Sequence, residues 1–367
     1  MVRNSDCIKE KIEVKQVALI SYVIVGSGHR AEFYGRIAKT YPRLFRAIFL
    51  CRSVQKVEYM QVKTGMPATT SLEECIRFKP DFAVIAVDKE SIARVGEEWI
   101  NRGYPVLLET PAGASIKELC RLWELHERGA RIAVCEQYHR YPALIDGLNK
   151  VANGAIGTPQ SAYISLAHDY HAASIMRRAL LTYGEPYVLR GKRFQSEVVE
   201  TDSRQGAITD GRRALKNRDV VVATFASGKE CIYDFCGVQY RSFIRSRHIT
   251  VRGDKGEWND NVIYCLDGTK PKREYLLPQI PEKYSALDTQ YLVDMRKTWQ
   301  PELNLDTRQD EFAIATMLLD MGKNEIYPLS EGLDDAYFWL LMEKAVSTPW
   351  TEIKSEPMPW NINKGNL

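Results

Sequence analysis

From Val17 the chain stays largely apolar through Val17-Ala-Leu-Ile-Ser-Tyr-Val-Ile-Val25, breaks at Gly26-Ser27-Gly28, and at once takes up a helical spacing of apolar positions. A short apolar run bounded by glycine predicts a buried strand, and the spacing behind it predicts a helix. The alternation then repeats. Ala47–Leu50 reads as a second strand, and Ser71-Leu-Glu-Glu74 as a capping box opening a helix through Phe78. Asp81–Val87 reads as a buried strand, followed by a helix from Ser91 that stops at Gly103 and by a strand at Pro105–Leu108. Ser115-Ile-Lys-Glu118 is a second capping box, and its helix places Ile116, Leu119, Cys120 and Trp123 on one face before Gly129 closes it. Arg131–Cys135 is the last strand of this half. Strands separated by helices predict parallel βαβ units, so residues 17–142 are expected to form one doubly wound domain.

After Pro142 the period changes. A helix over Ala143–Ala152 leads into runs that alternate every second residue: Gln160–Leu166, Val220–Phe225, Glu230–Phe235 and Ser246–Arg252. Ala226–Lys229 and Gly253–Gly256 are the turns between them. This predicts an open, mainly antiparallel sheet with one wet or partner-bound face, in a second α/β domain over 143–347 that ends in a helix from Leu333 to Val346. Residues 1–16 and the Pro-rich 348–367 are expected as tails. The fold class is therefore α/β, a parallel sheet followed by an open antiparallel one.

Composition narrows the partners. The 367 residues suit two domains, and 50 basic against 47 acidic residues are mixed along the chain rather than clustered, which argues against nucleic acid. No apolar run is long enough to span a bilayer, and Met1–Lys15 lacks the apolar block of a signal peptide, so a cytoplasmic protein is expected. The eight cysteines, Cys7 among them, are scattered without a C-x-x-C pair and read as reduced thiols.

The glycine turn carries the first chemistry. In Gly26-Ser27-Gly28-His29-Arg30-Ala31 the first glycine allows a sharp turn, the second lets backbone approach a pyrophosphate, and small Ala31 lets the helix pack on its strand. The helix N-terminus offers amide donors and a positive dipole end. An acid about 20 positions beyond such a turn usually holds the adenosine ribose. Here that place is Cys51, 51 − 31 = 20 residues past Ala31, followed by Arg52 and Ser53. The pair suits the 2'-phosphate of NADP, while NAD stays open because Arg52 can equally be a solvated charge. In a doubly wound sheet the strand ends face the cleft, which makes Val87 and Gln137 candidates for the cofactor and Tyr138 and Arg140 for a substrate.

These residues, with Val106-Leu-Leu-Glu-Thr-Pro111, Asp169-Tyr-His171 and Ile249–Gly256, resemble the Gfo/Idh/MocA family over roughly Val17 to Ser347. The resemblance implies a Rossmann domain, a nicotinamide cofactor, sugars or polyols as substrates, and a homodimer or homotetramer built through the second domain's sheet. It also implies Glu109 and Thr110 at the nicotinamide end of the cofactor, and a proton-transferring lysine in Glu-Lys-Pro, with the peptide to proline cis. This chain has Thr110 there, which cannot act as an acid or base near neutral pH. The remaining titratable candidate is His171, which matches the family's active-site histidine, with His168 and Asp169 beside it and Tyr170 as a substrate contact. The family's flanking aspartates are replaced by Ala167 and Ser174. A metal held by His168 and His171 lacks further ligands nearby, and none is expected. Three functions stay open: a sugar, glycoside or polyol oxidoreductase; a glycoside-cleaving enzyme that recycles a tightly bound NAD; and a cofactor-bound sensor or partner subunit without catalysis.

Overall fold

The computed structural model describes residues 18–203, 206–287, 307–323 and 327–361. Strands β1 (Ile20–Val25), β2 (Phe45–Leu50), β3 (Ala68–Thr69), β4 (Phe82–Ile85), β5 (Val106–Leu108) and β6 (Ile132–Val134) form a six-stranded sheet in the order β3-β2-β1-β4-β5-β6, and every pairing in it is parallel. That order reverses direction between β1 and β4, and a crevice opens at such a switch point. Helices α1 (His29–Thr40), α2 (Val54–Thr64), α3 (Leu72–Arg77), α4 (Ile92–Ile100) and α5 (Ile116–Glu127) connect the strands. The serines expected as caps do cap: Ser71 Oγ accepts the Glu74 amide at 3.2 Å, and Ser115 Oγ that of Glu118 at 3.3 Å.

Helix α6 (Pro142–Ala152) leads into the second sheet, built on β7 (Pro159–Ser165), β8 (Tyr187–Val199), β11 (Arg213–Phe225), β12 (Glu230–Cys236), β13 (His248–Gly253), β14 (Gly256–Asn259), β15 (Val262–Asp267) and β16 (Lys270–Tyr275), with the short pair β9 (Asp202–Ser203) and β10 (Gly206–Ala207) apart from it. Only β7 and β12 run parallel. The register sorts the two faces. Leu189, Ala223, Cys231, Ala162, Val251, Trp258 and Ile263 lie in one row across the sheet and are buried beneath the helices, whereas the next row, with Arg190 and Ile232, looks outward. Helix α7 (Asp169–Leu180) follows β7 directly.

The last part of the chain returns to both domains. Helix α8 (Thr307–Lys323) packs on α1 and β1, and α9 (Leu329–Ser347) packs on α7, β8, α5 and β6. Gly332 allows that contact: a Cβ there would lie 2.5 Å from Val134. The segment after Thr348 does not hang free as a tail. Strand β17 (Ile353–Lys354) pairs with the edge of β8, and Trp360 is buried with its indole N–H donated to Asp334 at 2.5 Å. Residues 1–16 and Cys7 lie outside the described residues; among those described every cysteine is a free thiol. No described helix is long and apolar enough to cross a membrane.

One buried hub ties these helices together. Arg177 of α7, almost wholly buried, donates to Asp335 at 2.6 Å and to Asp334 at 3.1 Å, both on α9, and pairs with Glu331 at 3.1 Å. Tyr327 and Asn361 donate to the second oxygens of Asp335 and Asp334. Charges this deep persist only when paired and hydrogen-bonded throughout.

Candidate active site

The glycine turn sits where β1 enters α1. Gly26 has φ +139°, and a Cβ on it would lie 2.1 Å from the carbonyl oxygen of Ala86, so only glycine fits. A Cβ on Gly28, the N-cap of α1, would meet no protein atom within 4 Å. The space over this helix N-terminus is open, as a pyrophosphate requires, and the turn fits a dinucleotide. Ser27 and exposed His29 lie in the same turn, with the His29 ring edge-on to Phe33. At the end of β2, Arg52 is exposed, and Ser53 caps α2 by accepting the Lys56 amide at 3.4 Å. Val87, half-buried, lies two residues beyond the end of β4.

Three expected contact residues make bonds inside the protein. Arg30 donates to Glu109 at 2.6 Å and to Asp310 of α8 at 2.6 Å, and Tyr34 donates to the same Glu109 oxygen at 2.5 Å. Gln137 is buried and gives its amide nitrogen to Asp310 at 3.0 Å. The cluster fastens α8 to the first sheet, while Arg30 Nη2 and Gln137 Oε1 stay buried without a hydrogen-bond partner among the described residues. Arg140 Nη1 donates to Asp320 at 2.5 Å, Tyr284 at 2.9 Å and Thr316 at 3.2 Å, and so anchors α8. Thr110 stays at the strand end, its peptide to Pro111 is cis, and its amide is capped by Glu109 at 3.1 Å.

His171 lies in the first turn of α7, and its Nδ1 is 2.6 Å from Glu136 Oε2. Glu136 directly follows the apolar run that ends β6; it is fully buried, and its other oxygen accepts the Tyr138 amide at 3.0 Å. The Tyr138 ring lies 4.4 Å from that of His171 and stacks on Tyr141, while the Tyr170 ring meets it edge-on at 4.5 Å. Tyr138 is buried against the rings of His171 and Tyr141. Burial resists charge on either member of the pair: it raises the Glu136 carboxyl to about 8 and lowers the His171 imidazole to about 3. Among the described residues His171 Nε2 has no hydrogen-bond partner.

His168 behaves differently. Its Nδ1 is 2.5 Å from the Tyr240 hydroxyl and its Nε2 is 3.1 Å from that of Tyr170, so both ring nitrogens are engaged, and burial lowers its pKa to about 3. It links two tyrosines and is not itself a free base. Asp169, with backbone φ +50°, turns away toward Asp219 and Glu343, and burial followed by those two carboxylates raises its pKa to about 7. Arg193 bridges Asp219 and Glu343 at 2.7 and 3.1 Å. These residues were not visible in sequence as a group, because they come from strands and helices far apart in the chain. Glu136 did leave a signal, an acid directly ending an apolar strand, where burial demands a partner.

Residues 20–136 match the model of an oxidoreductase family with an NAD-binding Rossmann fold. No functionally curated protein is similar to the chain in sequence. Among solved structures it is similar to an NAD-binding oxidoreductase from Klebsiella pneumoniae, at TM-score 0.67 and 15% identity over 92% of this chain and 100% of that one. It is also similar to an oxidoreductase from Agrobacterium radiobacter in complex with NAD+, L-tartaric acid and magnesium, at TM-score 0.66 and 11% identity over 92% and 98% of the two chains. A myo-inositol dehydrogenase from Corynebacterium glutamicum follows at TM-score 0.62 and 11% identity, over 93% of this chain and 100% of that one. At these identities the likeness is one of fold.

Proposed function

The chain belongs to the Gfo/Idh/MocA oxidoreductase family through residues 20–136 and binds a nicotinamide dinucleotide, and from that premise we propose that it oxidises or reduces a hydroxyl-bearing carbon of a sugar, glycoside or polyol with His171 as the proton-transfer group. The observation that carries this reading is the 2.6 Å contact between Glu136 and His171 Nδ1. The nicotinamide, when bound over the turn at Gly26–Gly28, supplies hydride transfer.

The chain's own residues move the proton. Ionised Glu136 accepts the Nδ1 hydrogen and fixes the tautomer whose Nε2 lone pair can take a hydroxyl proton. One added proton puts a hydrogen on Nε2 wherever in the pair the extra charge rests. The pair is thus a base in one state and an acid in the other, which serves oxidation and reduction respectively. Tyr138 and Tyr170 pack against the ring and keep water from Nδ1. Arg52 favours NADP over NAD in this reading, and the outward face of the second sheet is where we place assembly with a second copy.

A specific observation favours a second reading, the recycled-cofactor glycoside cleavage. Elimination needs a second proton path, and Tyr170, His168 and Tyr240 form a hydrogen-bonded string beside the first pair. Denaturing the purified protein and identifying the released nucleotide, then following cofactor absorbance and product with sugars, polyols and glycosides, separates the two. Net cofactor reduction supports the oxidoreductase; cleaved glycoside without it supports the second reading; absence of nicotinamide affinity overturns both.

A further inference from the structure

The acids that hold Arg30 outnumber it. Glu109 accepts its Nε at 2.6 Å and Asp310 its Nη1 at 2.6 Å, so two carboxylates share one guanidinium. Among the described residues neither acid pairs with a second cation, and Arg36, further along α1, is held by Glu311 at 2.7 Å and Glu32 at 3.5 Å. The other neighbours carry no charge. Tyr34 donates to Glu109 and Gln137 to Asp310, and burial pushes the Cys135 thiol and the Tyr34 and Tyr141 phenols well up, so all three stay neutral. The His171–Glu136 pair keeps one proton at neutral pH and is neutral as a whole. One negative charge is left over, on side chains only 6% (Glu109) and 15% (Asp310) exposed. A charge so placed is costly unless a cation joins it.

The topology identifies the cation. A doubly wound sheet takes a dinucleotide across the switch between β1 and β4, with the adenosine ribose at the end of β2. That leaves the nicotinamide for the β4–β6 side. Glu109 directly follows β5, and Gln137, which donates to Asp310, lies three residues past β6. The fields of Arg30, Asp310 and Glu109 also reach His171, so the excess charge stands at the reacting end of the cleft. The oxidised nicotinamide ring is a cation, and the hydride it accepts makes it neutral.

Resting on the oxidoreductase reading, we infer that Glu109 and Asp310 together form a fixed counter-charge for the oxidised nicotinamide. They strengthen the hold on the oxidised cofactor relative to the reduced one and bias the bound cofactor toward giving its hydride to a carbonyl. In that direction the carbonyl carbon gains the hydride, its oxygen gains the proton of the His171–Glu136 pair, and the positive charge restored to the ring falls on the side of the sheet that carries the acids.

Fluorescence titration of the full chain with NAD+, NADH, NADP+ and NADPH tests this, read as the ratio of dissociation constants for the oxidised and reduced forms of whichever nucleotide binds. Asp310→Asn keeps the side chain's shape and an acceptor oxygen, and is expected to weaken the oxidised form relative to the reduced one by at least about tenfold. Glu109→Gln should move the ratio the same way and carries the test if Asp310→Asn does not fold. Asp320→Asn, on the same helix and held by Arg140 at 2.5 Å, loosens α8 without touching the cluster and should leave the ratio unchanged. Equal weakening of both forms by Asp310→Asn would make that aspartate a structural clip and overturn the counter-charge, as would a ratio moved just as far by Asp320→Asn. If none of the four nucleotides binds the unaltered chain, the oxidoreductase reading falls and the counter-charge with it; binding with a ratio unmoved by Asp310→Asn removes the counter-charge alone.

Discussion

His171 is held by an acid rather than left to titrate alone, and this sets its pH behaviour. Because burial raises the Glu136 carboxyl to about 8, the pair keeps its proton below that pH and releases it above. Oxidation needs the released state, so kcat/KM for oxidation is expected to rise as pH increases through about 8, and reduction to fall. In Glu136→Gln that limb should move to lower pH, because the isolated imidazole is held near 3 by burial, and the rate should drop by ~10²–10⁴-fold as the tautomer is no longer fixed. A pH–rate profile of both proteins checks this; an unmoved limb would remove Glu136 from the proton path. His171 was legible because it stands in a motif beside a strand end. The roles of Arg30, Gln137 and Arg140 were not, since a strand-end position gives direction but not partners, and here Asp310 and Asp320 arrive from more than 170 residues away.

The elements were more readable than the contacts between them. Strand and helix periods are local properties of the backbone, so β1, β2, β4, β5 and β6, helices α1, α3, α4 and α5, and β7, β12, β13 and the second half of β11 follow from spacing, with ends shifted by a residue or a few, whereas α2, β3, β8 and β14 to β16 do not. The turn at Gly26–Gly28 offers a test at this scale. Gly28→Val should leave the melting temperature unchanged, since no protein atom lies within 4 Å of its Cβ, while abolishing nucleotide binding measured by fluorescence quenching. Gly26→Ala, clashing with Ala86 at 2.1 Å, should lower the melting temperature as well. Between elements, Arg177→Met strands Asp334 and Asp335 without their cation and should cost about 3–5 kcal/mol in urea unfolding; a loss below 1 kcal/mol would mean that the helices do not depend on it. Nothing in the spacing of α7 announces that hub, because its acids sit on α9.

In the whole molecule, the two sheets are joined less by the chain that runs between them than by the returning helices. Asp310 and Asp320 of α8 are gripped by Arg30 and Arg140 of the first half, and α9 lies against β6 on one side and β8 on the other. Trp360→Ala, which empties a buried site and takes a donor from Asp334, is expected to destabilise by about 3–5 kcal/mol, lowering the thermal midpoint. The period change at Pro142 marks where the sheet changes, yet it cannot reveal that residues beyond 307 complete the first domain, because amphipathic pattern shows which face is buried and not against what. The edge of β8 stays unpaired until Ile353 and Lys354 are in place. During synthesis, then, the edge of β8 stays bare until residues 353 and 354 have been made, and until then the chain presents a strand edge of the kind that recruits other chains into aggregates.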